Sequence, residues 1–139
     1  MLTTDLEILQ SPPAATEFSA LRASVGWQNP PLEQVAVSIE SSLYWVQCRK
    51  EQQLVACGRV VGDGYMYFYI QDVIVHPDYQ GCGLGHIVMD NIEQYLSTQC
   101  HSGATAALLA AHGKEAFYQR YGYALRDGQS LGLGMCKFY

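Results

Sequence analysis

Residues 73–85 read Val-Ile-Val-His-Pro-Asp-Tyr-Gln-Gly-Cys-Gly-Leu-Gly, an apolar extended run that passes straight into a loop with glycine at alternate positions. Beyond it, Leu84, Ile87, Val88, Ile92 and Leu96 recur at helical spacing, so the loop opens an amphipathic helix of about four turns. Such a junction turns bare backbone N–H groups towards the positive end of a helix, where phosphate is favoured. A side chain at Gly81, Gly83 or Gly85 would hold an anion away from those amides, and glycine also reaches φ values other residues avoid. The stretch reads as a pyrophosphate cradle. A tight strand-to-helix turn without any ligand is the plainer alternative.

Two familiar phosphate loops fit badly. A Walker loop needs Lys and then Ser or Thr after its last glycine, whereas His86 and Ile87 follow Gly85. A Rossmann fingerprint needs G-x-G-x-x-G, and here the glycines stand at every second residue. The pattern Gln80-x-x-Gly83-x-Gly85 instead resembles the acetyl-CoA loop of the GCN5-related N-acetyltransferases, Arg/Gln-x-x-Gly-x-Gly/Ala. A second segment, Ala116-Phe117-Tyr118-Gln119-Arg120-Tyr121-Gly122-Tyr123, resembles that family's late motif, a helix carrying Phe-Tyr and ending in Gly-aromatic. It is most similar to the arylalkylamine (serotonin) N-acetyltransferase branch. Gly122 is the residue expected to stop that helix in left-handed geometry. The two motifs stand in the family's order.

Working outward, residues 6–9 suggest a first strand ended by Ser11-Pro12-Pro13. Residues 16–24 suggest a helix with Thr16 as N-cap, broken by Trp27-Gln28-Asn29-Pro30-Pro31. Residues 32–41 suggest a second helix, with Leu32, Val35, Ala36 and Ile39 on one face. Residues 43–48, 54–61 and 65–76 then read as an antiparallel meander, with turns at Lys50-Glu51-Gln52 and Gly62-Asp63-Gly64. After the long helix come a buried strand at 105–110, a helix at 114–121 and a return to strand from Tyr123. The tail alternates Leu131, Leu133, Met135, Lys137 in period two. This predicts an α+β fold, a mixed and mainly antiparallel central sheet with helices on both faces. The resemblance implies the same arrangement, and residues 1–139 read as a single domain.

Composition excludes several classes. A net charge of −5 argues against a nucleic-acid partner, which needs a basic face. No apolar run reaches the length of a membrane span, and Met1-Leu2-Thr3-Thr4-Asp5 shows no secretory signal. Five scattered cysteines (Cys48, Cys57, Cys82, Cys100, Cys136) lack Cys-x-x-Cys spacing, and the four histidines lack a His-x-x-x-His pair. That pattern suits reduced thiols in the cytoplasm and indicates no metal. The resemblance implies a small-molecule amine as partner; a homodimer is left open.

The resemblance implies an N-acetyltransferase that uses acetyl-CoA (coenzyme A) as acetyl donor to a primary amine, by direct attack in a ternary complex. Gln80, Gly81, Cys82, Gly83, Leu84, Gly85 and His86 would hold the pyrophosphate. Val73, Ile74 and Val75 would pair with the pantetheine arm through their backbone. Tyr118 matches the family's tyrosine that touches the cofactor and protonates the departing thiolate; its bland reading is packing between helix and sheet. Asp72 is a candidate proton relay, or else an anchor for a neighbouring loop. Trp27, Tyr67 and Tyr69, the last two sharing a strand face with Tyr65, could line an acceptor pocket or simply be core. Cys82 and His86, four apart, could be drawn as a nucleophile pair, although a thioester donor needs no acyl-enzyme. Two rival functions stay open: a non-catalytic acyl-CoA sensor, and a nucleotide-binding regulator using the same cradle.

Overall fold

The computed structural model describes residues 5–139; the expectation about a leader falls mainly on residues 1–4, outside them. Contacts divide the chain into two compact units, the first ending at Ala106 and the second running from Ala107 to Tyr139. In the first, β1 (Leu6–Leu9) is followed by α1 (Ala15–Ser24), α2 (Leu32–Glu40), β2 (Tyr44–Lys50), β3 (Gln53–Gly62) and β4 (Tyr67–Val75). A 3₁₀ turn at Pro77–Tyr79 then leads into α3 (Leu84–Gln99), and β5 (Thr105–Leu108) starts the passage into the second unit. The five strands lie in the order β1-β2-β3-β4-β5. The first four pair antiparallel, and β5 is reached by way of α3.

The two faces of the sheet are covered by different helices. Phe18 and Leu21 of α1, with Val35 and Ile39 of α2, pack on Trp45, Leu54, Cys57 and Ile74. On the other face lies α3, whose Leu84, Val88, Met89, Ile92 and Leu96 are all buried. The fit of α3 to the sheet depends on Gly58. A Cβ there would stand 2.6 Å from Val88 Cγ1 and 2.9 Å from Ile92 Cδ1, closer than packed atoms come. The α+β architecture with helices on both faces is as expected.

Several local expectations give way. Helix α1 is capped by Ala14 in extended geometry with no side-chain cap, because the preceding prolines already hold the chain there; Thr16 lies inside the first turn. Strand β4 begins at Tyr67, two residues late, since Asp63 Oδ1 accepts the amides of Tyr65, Met66 and Tyr67 at 2.9–3.0 Å and rolls them into the turn.

In the second unit, α4 spans Glu115–Gln119, and Gly122 follows with φ +91° as the left-handed stop. The described residues beyond Gln119 hold no further helix or strand, so the strands expected from Tyr123 onward are absent. Asp127 takes the amides of Gln129 and Ser130, and Gly128 donates to Leu131 at 2.9 Å, which turns the chain there. Period-two patterning makes a strand only where a neighbouring edge supplies the ladder.

Candidate functional site

The segment has the strand–turn–helix form that the sequence suggests. β4 ends at Val75, and His76 Nδ1 accepts the Asp78 amide at 3.1 Å, folding residues 77–79 into the 3₁₀ turn. Gln80 Nε2 then donates to Val75 O at 3.0 Å, so the motif's glutamine closes the loop from behind. Gly83 is the N-cap of α3 at φ +87°, a value that L-residues rarely adopt, and Gly81 stands at φ +79°. Nothing lies within 4 Å of a Cβ added at either position. The first turn of α3 carries no acidic residue and no side-chain cap, and the first amides of a helix have no intrahelical acceptor. Open space at Gly81 and Gly83 and the positive dipole end of α3 would suit a diphosphate. Cys82 is exposed within the loop.

The strand feeding the cradle is not regular. Cys57 pairs with Ile74 and Arg59 with Gln71, so Gly58 alone opposes Asp72 and Val73, and the ladder shifts register between them. Asp72 is the bulged residue, at φ +54°. The bulge reverses which residues face which helices. Ahead of it Ile70 pairs with Val60, while Tyr69 pairs with Val61 and Gln71 with Arg59 on the α1/α2 side. Behind it Ile74 takes the α1/α2 side and Val73 faces Gly58 and α3. Asp72 and Ile74 therefore share a face that Ile70 does not, contrary to simple alternation.

Asp72 is 3% exposed. One carboxylate oxygen, Oδ1, pairs with Arg22 Nη1 of α1. The other, Oδ2, takes Arg59 Nε at 2.9 Å and Nη2 at 2.8 Å. Arg22 also donates from Nη2 to Gln28 O and from Nε to Asn29 Oδ1, both at 2.7 Å. Arg59 donates from Nη1 to Ser38 Oγ at 2.9 Å and Ser42 Oγ at 3.1 Å, tying in α2. With both oxygens engaged by guanidinium N–H groups, a proton taken by Asp72 would point at another donor. This geometry supports the anchoring reading and leaves Asp72 poorly suited to relay a proton from an amine.

Trp27 packs on the α1/α2 core with Arg22 5.5 Å over its ring. Tyr67 and Tyr69 lie on the same side of the sheet by register; Tyr67 is 59% exposed and Tyr69 half-buried. Tyr65 belongs to the turn. Tyr118 sits in α4 of the second unit, half-buried, with the Phe117 ring edge-on at 5.0 Å. Burial pushes its phenol above the ordinary value near 10, so it stays protonated at neutral pH. Among the described residues no cluster of His, Cys, Asp and Glu could hold a metal ion. No helix among them is long and apolar enough to cross a membrane.

Sequence reasoning missed Arg22 and Arg59. A signal existed for Arg59: it is the sole charge within the apolar run Leu-Val-Ala-Cys-Gly-Arg-Val-Val of residues 54–61, and a buried guanidinium demands an acidic partner. Nothing local points to Arg22, which stands 50 positions from Asp72.

The fold is a mainly antiparallel sheet with helices on both faces and a glycine-spaced loop between a bulged strand and a long helix. The family model for the acetyltransferase (GNAT) domain matches residues 40–125, more than half of the chain and across the division between its two units. The chain belongs to the GNAT family. An uncharacterized N-acetyltransferase, ycf52-like, of Prochlorococcus marinus is 33% identical over 78% of this chain and 62% of its own length. The chloroplastic serotonin N-acetyltransferase 2 of Oryza sativa is 31% identical over 80% of this chain and 56% of its own. The chain thus spans about three fifths of the length of the curated relatives it matches. Among solved structures, a Staphylococcus aureus protein of unknown function, described as a probable acetyltransferase, superposes with a TM-score of 0.88. It shares 25% identity, with 96% of this chain and 99% of that one covered.

Proposed function

We propose that this acetyltransferase uses acetyl-CoA as donor and a small primary amine as acceptor, with the amine attacking the thioester directly. The observation that carries the reading is the cradle: left-handed Gly81 and Gly83 with open space above them and no acid in the first turn of α3. Residues 80–86 hold the diphosphate through main-chain amides, and the backbone of Val73, Ile74 and Val75 receives the pantetheine arm. The amine nitrogen bonds to the acetyl carbon, the C–S bond breaks, and the phenol of Tyr118 gives its proton to the departing thiolate. A phenol held above 10 remains loaded with that proton at neutral pH. The acceptor side is the α1/α2 face with Trp27, Tyr67 and Tyr69. Water, rather than Asp72, removes the ammonium proton.

Residues 1–139 act as one acetyltransferase domain in the cytoplasm, with neither nucleic acid nor membrane as partner; self-association to a homodimer is read by sedimentation. Calorimetric titration with acetyl-CoA and with ATP tests the cradle, and thiol release across a panel of amines tests transfer. Tyr118→Phe is expected to lower turnover at least tenfold and leave acetyl-CoA affinity within about twofold. Tight acetyl-CoA binding without thiol release from any amine would favour the sensor reading. Preference for ATP would favour the nucleotide regulator.

A further inference from the structure

The Arg22–Asp72–Arg59 cluster, whose carboxylate is buried, is not used by the transfer chemistry just described, yet it links α1, α2, β3 and β4. Asp72 is the bulged residue of the strand that runs into the cradle, one position before Val73. Its Oδ1 meets Arg22, and the two remaining nitrogens of that guanidinium hold Gln28 O and Asn29 Oδ1 in the connection between α1 and α2. Asn29 Nδ2 in turn donates to Ser19 O at 2.9 Å, closing the connection back onto α1. Trp27 lies within that same connection, under the Arg22 guanidinium. On the other oxygen, Arg59 ties the bulge to Ser38 and Ser42 at the end of α2. One carboxylate thus fixes the strand's irregularity and the acceptor-side connection together. Among the described residues, Arg22 and Arg59 face Asp72, the buried Cys57 thiol donates to Asp72 O at 3.4 Å, and Glu17 of α1 is engaged by Arg49.

We propose that Asp72 is a positioning residue that acts through Arg22, holding the Trp27–Pro31 connection against strand β4 so that the acceptor amine is presented to a cofactor held by the neighbouring residues. The proposal rests on the acetyl-transfer reading for its kinetic consequence, but not for its structural one. Loss of one charge-assisted bond in this chain frees residues 27–31 while leaving residues 80–86 in place.

The test compares Asp72→Asn, Arg22→Gln and the double variant. Three readouts are taken: hydrogen–deuterium exchange of segment 25–32, acetyl-CoA affinity by calorimetry, and KM and kcat for the best amine of the panel across pH. Both single variants are expected to speed exchange in segment 25–32 by about tenfold, relative to segment 84–99 as internal reference. Both should raise the acceptor KM by about tenfold, with acetyl-CoA affinity within about twofold and the acid limb of the kcat profile unmoved. The double variant should add little to the larger single effect. Unchanged exchange in both single variants overturns the proposal. So does loss of kcat and of its acid limb in Asp72→Asn alone, with Arg22→Gln like the parent, because that is the behaviour of a proton relay. Should Asp72→Asn fail to fold, Arg22→Gln decides on its own, since the Arg22 side chain is 18% exposed and its loss empties no core site. A parent protein that binds no acetyl-CoA refutes the transfer reading, and the exchange experiment still decides the coupling.

Discussion

Replacing Gly83 by Ala separates the cradle's two demands, a left-handed backbone and an unshielded face. Gly83 stands at φ +87° with nothing within 4 Å of an added Cβ. The methyl therefore meets no atom of the free protein, and the cost to stability is backbone strain of about 1–2 kcal/mol. Gly103, in the turn between α3 and β5, is a matched control: φ +95°, and again nothing within 4 Å. In a chain of 139 residues both substitutions should lower Tm by a similar amount, about 3–8 °C. Their effects on acetyl-CoA should differ. In the proposed cradle a methyl at Gly83 would stand among the amides meant for the diphosphate, and losing one such charge-assisted bond would remove about 1.5–3 kcal/mol. Affinity then falls roughly tenfold to hundredfold in Gly83→Ala and stays near the parent value in Gly103→Ala. Calorimetric titration of both proteins, below their melting range, reads this directly. Equal affinities in the two variants, with equal Tm, would refute the assignment of the cradle.

Gly58→Ala drives a methyl against Val88 and Ile92 and should cost about 1–3 kcal/mol by overpacking, seen as a lowered Tm in calorimetry; an unchanged Tm would mean that α3 does not press on β3 as described. Alkylation at pH 8 should reach the exposed Cys82 and Cys136 first, whereas burial raises Cys57 and pushes Cys48 up to about 11, so these two react only on unfolding. Saturating coenzyme A should slow labelling at Cys82 alone, and a rate indifferent to coenzyme A counts against the loop as its seat. Three amides hold the Asp63 carboxyl below its ordinary 3.8. Its contribution to the β3–β4 turn is present above that value and is lost as pH falls through the lower folded one. The amide resonances of Tyr65, Met66 and Tyr67 should accordingly titrate together in that acid range, and independent behaviour would dissolve the turn as drawn.

Local pattern determined a good deal of this protein. The apolar run of Val73 to Val75, the glycines at 81, 83 and 85 and the helical spacing from Leu84 specify strand, loop and helix from within a few residues. Gly83 has to be left-handed for the chain to turn there, and Gly122 ends α4 for the same steric reason. Where a pattern needs a distant partner, it was ambiguous. The alternating tail reads like a strand, yet a ladder requires a second edge, and no strand forms in it. Asp72 shows the limit best. Counted by twos, it shares a face with Ile70, but one extra residue opposite Gly58 reverses the pleat and turns it towards Arg22 and Arg59. A bulge is a property of two paired strands, and an ion pair across 50 positions is a property of the packed chain. The sequence by itself named the glycine-spaced turn between strand and helix; the tertiary structure alone decided that the neighbouring carboxylate is clamped by two guanidiniums, because burial makes each of those charges depend on partners that no short window contains.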